Sequence, residues 1–419
     1  MVQKTILPNG LRIITENLPH LVSVSMGIWV DNGSRDESPG LNGISHFIEH
    51  MIFKGTRNRS AQQIAKELDA IGGLSNAFTS KEHTCFHAKV LGHHLPQVTE
   101  ILLDIFLQSV FEPEEVERER MVVLQEISMV EDTPDEFSHV LYGETVYEGN
   151  PLGRNILGAP ETVRTFTQEK LKRYLQQAYG PEKVVVAAAG QIDHEDFVKL
   201  LAPELSKLPP AGKGPDRQKP LLTSKFRVVS RDLEQVHLAM GTWAPAASDE
   251  QRYAATLLNV LIGGNMSSRL FQEVREKRGL AYAIYSYLSS FQDTGLLGIY
   301  TAVAKETLPE TLEVIGRELM KIRKGEVLPG ELAMAKEFVK GGIWLGAENN
   351  DNRMTRLAKN EFIFGRLLTF DEIMEGLDAV TLEDLVRLAE ETIRGDLFSL
   401  VALGPVTEGQ FPSPWISWS

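Results

Sequence analysis

The chain has 419 residues, 42% hydrophobic and 24% charged; this is ordinary globular composition, and it is more chain than one common core encloses, so two domains of about 200 residues each are expected. No apolar run approaches the about 18 residues of a membrane-spanning helix, which excludes a membrane partner of that kind, and the formal net charge of −14 argues against nucleic acid while suiting cationic peptides. A single cysteine, Cys85, excludes an internal disulfide and leaves any metal site to His and carboxylate side chains.

The first residues, MVQKTILPNGLRIITENL, read as a strand, a Pro-Asn-Gly turn and a second strand. They contain no signal-peptide apolar core and no Arg/Ser-rich targeting pattern, so cytoplasmic residence is expected. Alternating strands (RIITENL, SVSMGIWV) come first, followed by amphipathic helices. More strands and helices follow, and the apolar strand VVVAAAG closes the first half. Cys85 falls in the alternating stretch HTCFHAKV, where a small buried side chain is expected. Residues 208–220, LPPAGKGPDRQKP, are rich in proline and glycine in a polar setting and predict an extended linker.

Beyond the linker the pattern repeats at an offset of 214 residues. Met26-Gly27-Ile28-Trp29 matches Met240-Gly241-Thr242-Trp243, Thr167 with Leu171 and Arg173 matches Thr381 with Leu385 and Arg387, and Gly190 matches Gly404. The expected organisation is a first domain over 1–208, a linker over 209–220 and a similar second domain over 221–419. Strands and helices mix without strict alternation. Each domain is therefore expected to be α+β, a mainly antiparallel sheet with helices packed on one face.

The most informative segment is Gly43-Ile44-Ser45-His46-Phe47-Ile48-Glu49-His50-Met51. On a helix, His46 and His50 lie about 40° apart and Glu49 about 60° from His46 on the other side, while Ile44, Phe47, Ile48 and Met51 cluster on the opposite face. This His-x-x-Glu-His pattern inverts the commoner zinc helix. Two imidazoles one turn apart can grip one Zn²⁺, and a neighbouring carboxylate can act as general base. A third ligand must come from elsewhere. The segment PEEVERERMVVLQEISMVED, opening at Pro113, predicts a helix that carries Glu119 and Glu126 two turns apart on one face. Glu126 interrupts an apolar stretch, where a carboxylate needs a partner. Gly263-Gly264-Asn265 lacks the Gly-Lys-Ser/Thr of a phosphate loop and reads as a turn.

These residues are similar to the insulinase/pitrilysin family of inverted-motif zinc peptidases, and most to its bacterial branch resembling the mitochondrial processing peptidase. The resemblance covers essentially the whole chain. It rests on His46-Phe-Ile-Glu49-His50-Met-Ile-Phe-Lys-Gly-Thr, on Gly72-Gly73 followed by Asn76-Ala77-Phe78-Thr79, on Glu119-Arg-Met-Val-Val-Leu-Gln-Glu126, and on Arg275-Glu-Lys-Arg-Gly279-Leu-Ala-Tyr282.

The resemblance implies a zinc endopeptidase with one Zn²⁺ per chain, held by His46, His50 and Glu126. Glu49 would be the general base and Glu119 a supporting carboxylate. Asn76, Ala77, Phe78 and Thr79 would form an edge strand that pairs with an extended peptide. Arg275 and Tyr282 would contact substrate or oxyanion. By residue type alone, Arg275 reads first as a surface charge and Tyr282 as a half-buried strand residue. Shifted by 214, the motif residues fall on Val260, Gly263 and Gly264, so the second domain lacks the site. The resemblance further implies a homodimer in which Arg275 and Tyr282 act across the interface. Two other readings keep the same fold: a non-catalytic assembly subunit, against which the complete motif set speaks, and a peptide-binding chaperone with structural zinc, which normally requires four protein ligands.

Overall fold

Gly10, in the left-handed region at φ +91°, lets the Pro8-Asn9-Gly10 turn fold strand β1 (Val2–Ile6) back on β2 (Arg12–Asn17). In this computed structural model, which describes residues 1–212 and 214–411, the remaining strands are β3 (Ser23–Val30), β4 (Leu74–Thr79), β5 (Thr84–Leu91), β6 (Val184–Gly190), β7 (Phe226–Ser230), β8 (Val236–Ala244), β9 (Ala281–Ser290), β10 (Gly295–Val303) and β11 (Ser399–Gly404). The helices are α1 (Ile44–Met51), α2 (Ala61–Ala70), α3 (Leu95–Gln108), α4 (Pro113–Asp132), α5 (Pro134–Val146), α6 (Pro160–Val163), α7 (Gln168–Ala178), α8 (His194–Leu205), α9 (Arg252–Ile262), α10 (Leu308–Arg323), α11 (Pro329–Gly346), α12 (Asn350–Phe364), α13 (Phe370–Ala379) and α14 (Leu382–Thr392). Lys213 of the expected linker and residues 412–419 of the expected second domain lie outside the described residues. No helix among the described residues is long and apolar enough to cross a membrane.

Two sheets form, in the orders β1-β2-β6-β3-β5-β4 and β7-β11-β8-β10-β9. Each contains one parallel pair, β2 with β6 and β7 with β11, and is otherwise antiparallel. The α+β class expected from the sequence is therefore what the chain adopts. Strand alternation decides which side chains meet which layer. Ile28 pairs with Phe86 and Val186, and all three face the main helical layer with α1, α3 and α4. The next row, Trp29 with Cys85 and Val185, faces the other way. Cys85 is thus a small core side chain, and burial pushes its thiol well above the ordinary range.

The internal repeat is visible element by element. Thr167 and Thr381 are the N-caps of α7 and α14, each accepting a backbone N–H into its hydroxyl. Gly190 and Gly404 end β6 and β11 with φ of +136° and +151°.

The compact units are not simply the two chain halves. The first comprises Met1–Met129, Arg154–Arg217 and Gly346–Leu367; the second comprises Val130–Gly153, Gln218–Leu345 and the chain from Leu368. Within the first unit, α12 covers the far face of the sheet: Met354, Leu357 and Ala358 pack on Trp29, Val185 and Ala187, and Trp29 Nε1 donates to Met354 Sδ at 3.1 Å. Within the second unit, α5 does the same, with Leu141, Tyr142 and Val146 against Ala239, Val401 and Leu403. Each sheet therefore has its main helical layer on one face and one helix from the other chain half on the opposite face. The described part of 208–220 carries no helix or strand. Its Arg217 is pinned to the first unit, at 2.8 Å from both Asp36 Oδ2 and Asp31 Oδ1.

Candidate metal centre

Helix α1 presents one face to the core, with Ile44, Phe47, Ile48 and Met51 all buried. The opposite face carries His46 and His50, whose ring centroids lie 4.6 Å apart. Across from them, α4 supplies Glu126: its Oε2 is 3.7 Å from His46 Nε2 and 3.5 Å from His50 Nε2. One donor atom from each of the three residues lies within 4.8 Å of the others, and among the described residues these three alone form such a group of His, Cys, Asp or Glu.

A tetrahedral zinc site with bonds of about 2.0–2.1 Å has ligand atoms about 3.4 Å apart. The donor set and spacing therefore fit a zinc ion, with two neutral nitrogens and one carboxylate. His50 Nδ1 and Glu119 Oε1 are 2.8 Å apart, so a proton on Nδ1 leaves Nε2 with its lone pair towards Glu126.

The electrostatics favour a cation. Burial works against a charge on His50, but the hydrogen bonds and charges of Glu119 and Glu126 prevail and raise it to about 9. His46 goes the other way, pushed down by burial and by the charge of His50. The hydrogen bond with His50 holds Glu126 below its ordinary range. Glu49, one residue before His50, is raised by burial, although contacts with Thr79 oppose the shift; its Oε2 is buried with no hydrogen-bond partner among the described residues. A carboxylate with a raised pKa and a free buried oxygen is suited to taking up a proton.

Thr79 ends β4, the edge strand of the first sheet, and its hydroxyl lies 3.5 Å from the Ser45 carbonyl oxygen at the start of α1. The structure thus brings together His46, Glu49, His50, Glu119, Glu126 and the Asn76-Ala77-Phe78-Thr79 strand in the first unit. Arg275 and Tyr282 meet in the second. Arg275 lies at the end of a π-helical turn, Phe271–Glu276, and the chain reverses at Gly279 (φ +62°). The Arg275 guanidinium stacks 4.8 Å from the ring centroids of both Phe271 and Tyr282, and Tyr282 is 81% exposed.

The apolar stretch that Glu126 interrupts is not uniformly buried: Met121 and Val122 are exposed and the Glu126 side chain is about one-third exposed. The deeply buried carboxylate on α4 is Glu119.

Sequence reasoning also missed the groups that hold α1. Glu37, buried, accepts the Gly43 amide at 2.7 Å, the Ser45 amide at 2.8 Å and the Asn42 side-chain amide at 3.0 Å. Gly43, at φ +93°, crosses Gly158 so closely that a Cβ on Gly43 would sit 2.7 Å from the Gly158 Cα. Arg120 ties α4 down through the Val163 and Phe166 carbonyls, at 2.6 and 2.8 Å. The Glu37 contacts span only five to eight residues but run from a loop to a helix start, and the others join distant segments, so none leaves a periodic signal.

Comparison with known proteins adds to this geometry. Residues 12–160 match the family model described as insulinase (peptidase family M16), and residues 165–339 match the peptidase M16 inactive domain. The chain is 40% identical over 413 residues to the uncharacterized zinc protease YmxG of Bacillus subtilis (strain 168), covering 99% of this chain and 100% of that one. It is 34% identical over 400 residues to an uncharacterized zinc protease of Rickettsia bellii (strain RML369-C), covering 95% and 96%. A protease from Helicobacter pylori shares the fold, with a TM-score of 0.88 at 23% identity over 96% of this chain and 99% of that one.

Proposed function

The chain belongs to the insulinase family, peptidase family M16, and on that premise we propose that it is a zinc-dependent endopeptidase with one ion per chain, held by His46, His50 and Glu126. The observation that carries this reading is the convergence of those three donors beside the Glu49 carboxylate. Bound there, zinc supplies Lewis-acid polarisation and makes water acidic enough to give up a proton near neutral pH. Glu49 takes that proton and passes it to the leaving amine. Glu119 fixes the ring of His50.

The substrate is a peptide or unfolded segment added along β4 by main-chain hydrogen bonds, with Asn76, Ala77, Phe78 and Thr79 as its contacts. The acidic chain favours cationic peptides. Arg275 and Tyr282 donate hydrogen bonds to substrate or to developing negative charge, and do so across the interface of a homodimer. We assign the protein to the cytoplasm. A cleavage profile on a mixed peptide library, read by mass spectrometry with and without chelator, tests the reading: chelator-sensitive cuts support it. A zinc-loaded protein that binds peptides but cuts none supports the chaperone reading instead.

A further inference from the structure

Lys54 belongs to the stretch that follows the zinc helix, yet neither the motif nor the mechanism above gives it a task. Its Nζ lies 2.7 Å from Glu119 Oε2, while Glu119 Oε1 lies 2.8 Å from His50 Nδ1. The two oxygens of one buried carboxylate are thus divided between an ammonium and an imidazole. From this arrangement, and resting on the zinc reading, we infer that Lys54 is a positioning residue for the metal: it holds the Glu119 carboxylate in the one orientation that aims His50 Nε2 at the site.

Lys54 is carried on an anchored turn. Its amide bonds the Met51 carbonyl at 3.0 Å, ending α1. Gly55, at φ +123°, then turns the chain, and its carbonyl accepts the Val110 amide at 3.2 Å. The Arg57 amide bonds the Gln108 carbonyl at 3.0 Å. The buried Asp104 of α3 collects Thr56 Oγ1 at 2.7 Å, Asn58 Nδ2 at 2.6 Å and Arg59 Nη1 at 3.0 Å. The stem of Lys54 therefore starts from a fixed point.

Opposite it, Glu119 is 5% exposed and sits on a helix held by the neighbouring Arg120. A carboxylate so placed is costly to leave half-paired. Without the ammonium, Glu119 Oε2 would have to find another donor, and turning the carboxylate would take Oε1 away from His50. Lys54 is about one-third exposed, which also suits a simple surface charge. The bidentate division of Glu119 is what separates the two roles.

The test is zinc affinity by chelator competition on the full chain, for the natural protein, Lys54→Met, Lys54→Arg, Glu119→Gln and the Lys54→Met/Glu119→Gln double variant. The melting temperature of each without metal is measured alongside. Loss of an outer partner of a ligand lowers metal affinity about 10- to 100-fold. Lys54→Met should show that loss in a chain that still melts cooperatively without metal, Lys54→Arg should recover most of it, and Lys54→Met should add nothing once Glu119 is Gln. Should Lys54→Met not fold, Lys54→Gln takes its place in the same cycle. Zinc affinity of Lys54→Met equal to that of the natural protein overturns the inference while leaving the zinc reading intact, and so do losses that multiply in the double variant. A natural protein that binds no zinc overturns both.

Discussion

Glu37 and Ser45 are eight residues apart in the chain, and the Ser45 amide donates to Glu37 Oε1 at 2.8 Å, so a carboxyl group from the preceding loop caps helix α1. Burial pushes the Glu37 carboxyl from its ordinary 4.5 up to about 7, against the pull of the Ser45 and Gly43 amides and the Asn42 side chain. The folded protein keeps this proton at pH values where the unfolded chain has released it. Its contribution is therefore complete below about 4.5 and lost as the pH rises to about 7, a span of about 3 kcal/mol. Glu37→Gln has no such proton. In chelator, urea unfolding at stepped pH should show the natural protein losing stability relative to Glu37→Gln between pH 4.5 and 7 and holding level above that. A constant difference across the range would contradict the assignment.

Glu49 and His50 are adjacent yet should fail differently. Glu49→Gln keeps the three donors and should retain zinc, while peptide hydrolysis falls about 10²- to 10⁴-fold. His50→Ala removes a ligand and should lose both the metal and activity. Metal analysis after gel filtration, paired with a peptide-cleavage assay, separates them; zinc retained by His50→Ala would refute the ligand set.

If Arg275 and Tyr282 act across a homodimer, two dead chains can complement each other. Glu49→Gln and Arg275→Ala are each expected to be inactive. Random reassociation makes half of the dimers mixed, each with one complete site, so about a quarter of natural activity should return. No recovery in a mixed dimer verified by mass spectrometry would place Arg275 in the service of its own chain, or outside the reaction.

If peptides bind along β4, their binding depends on backbone donors and acceptors more than on side chains. Among the described residues β4 pairs with β5 alone, and the Ala77 amide donates to Asn76 Oδ1 at 2.9 Å. A good peptide substrate N-methylated at successive positions should lose about tenfold in kcat/KM wherever the methyl replaces a bonded amide, equivalent to a net hydrogen bond of about 1.4 kcal/mol. Uniform tolerance of methylation would mean that the peptide lies elsewhere.

Much of this was readable from local pattern. His46, Glu49 and His50 share a helix face because of their spacing, and the capping threonines Thr167 and Thr381 announce equivalent helices by residue type. The sequence reading of Glu126 rests on its place in an apolar stretch and on the resemblance, whereas the interred carboxylate of α4 is Glu119, because α4 turns Met121 and Val122 outward. Glu37, Gly158 and Lys54 left no readable trace: each acts through a contact with another element, and neither propensity nor periodicity records such a contact. The exchanged helices escaped for a similar reason. An amphipathic face states that something must cover it and leaves open which sheet does so.

That exchange has a consequence for synthesis. The sheet on which α1 packs exposes Trp29, Val185 and Ala187 until Met354, Leu357 and Ala358 arrive to cover them. A ribosome that has passed Glu126 must therefore translate more than two hundred further codons before the first unit can close. A gene cut at the proline-rich joint should yield an aggregating product.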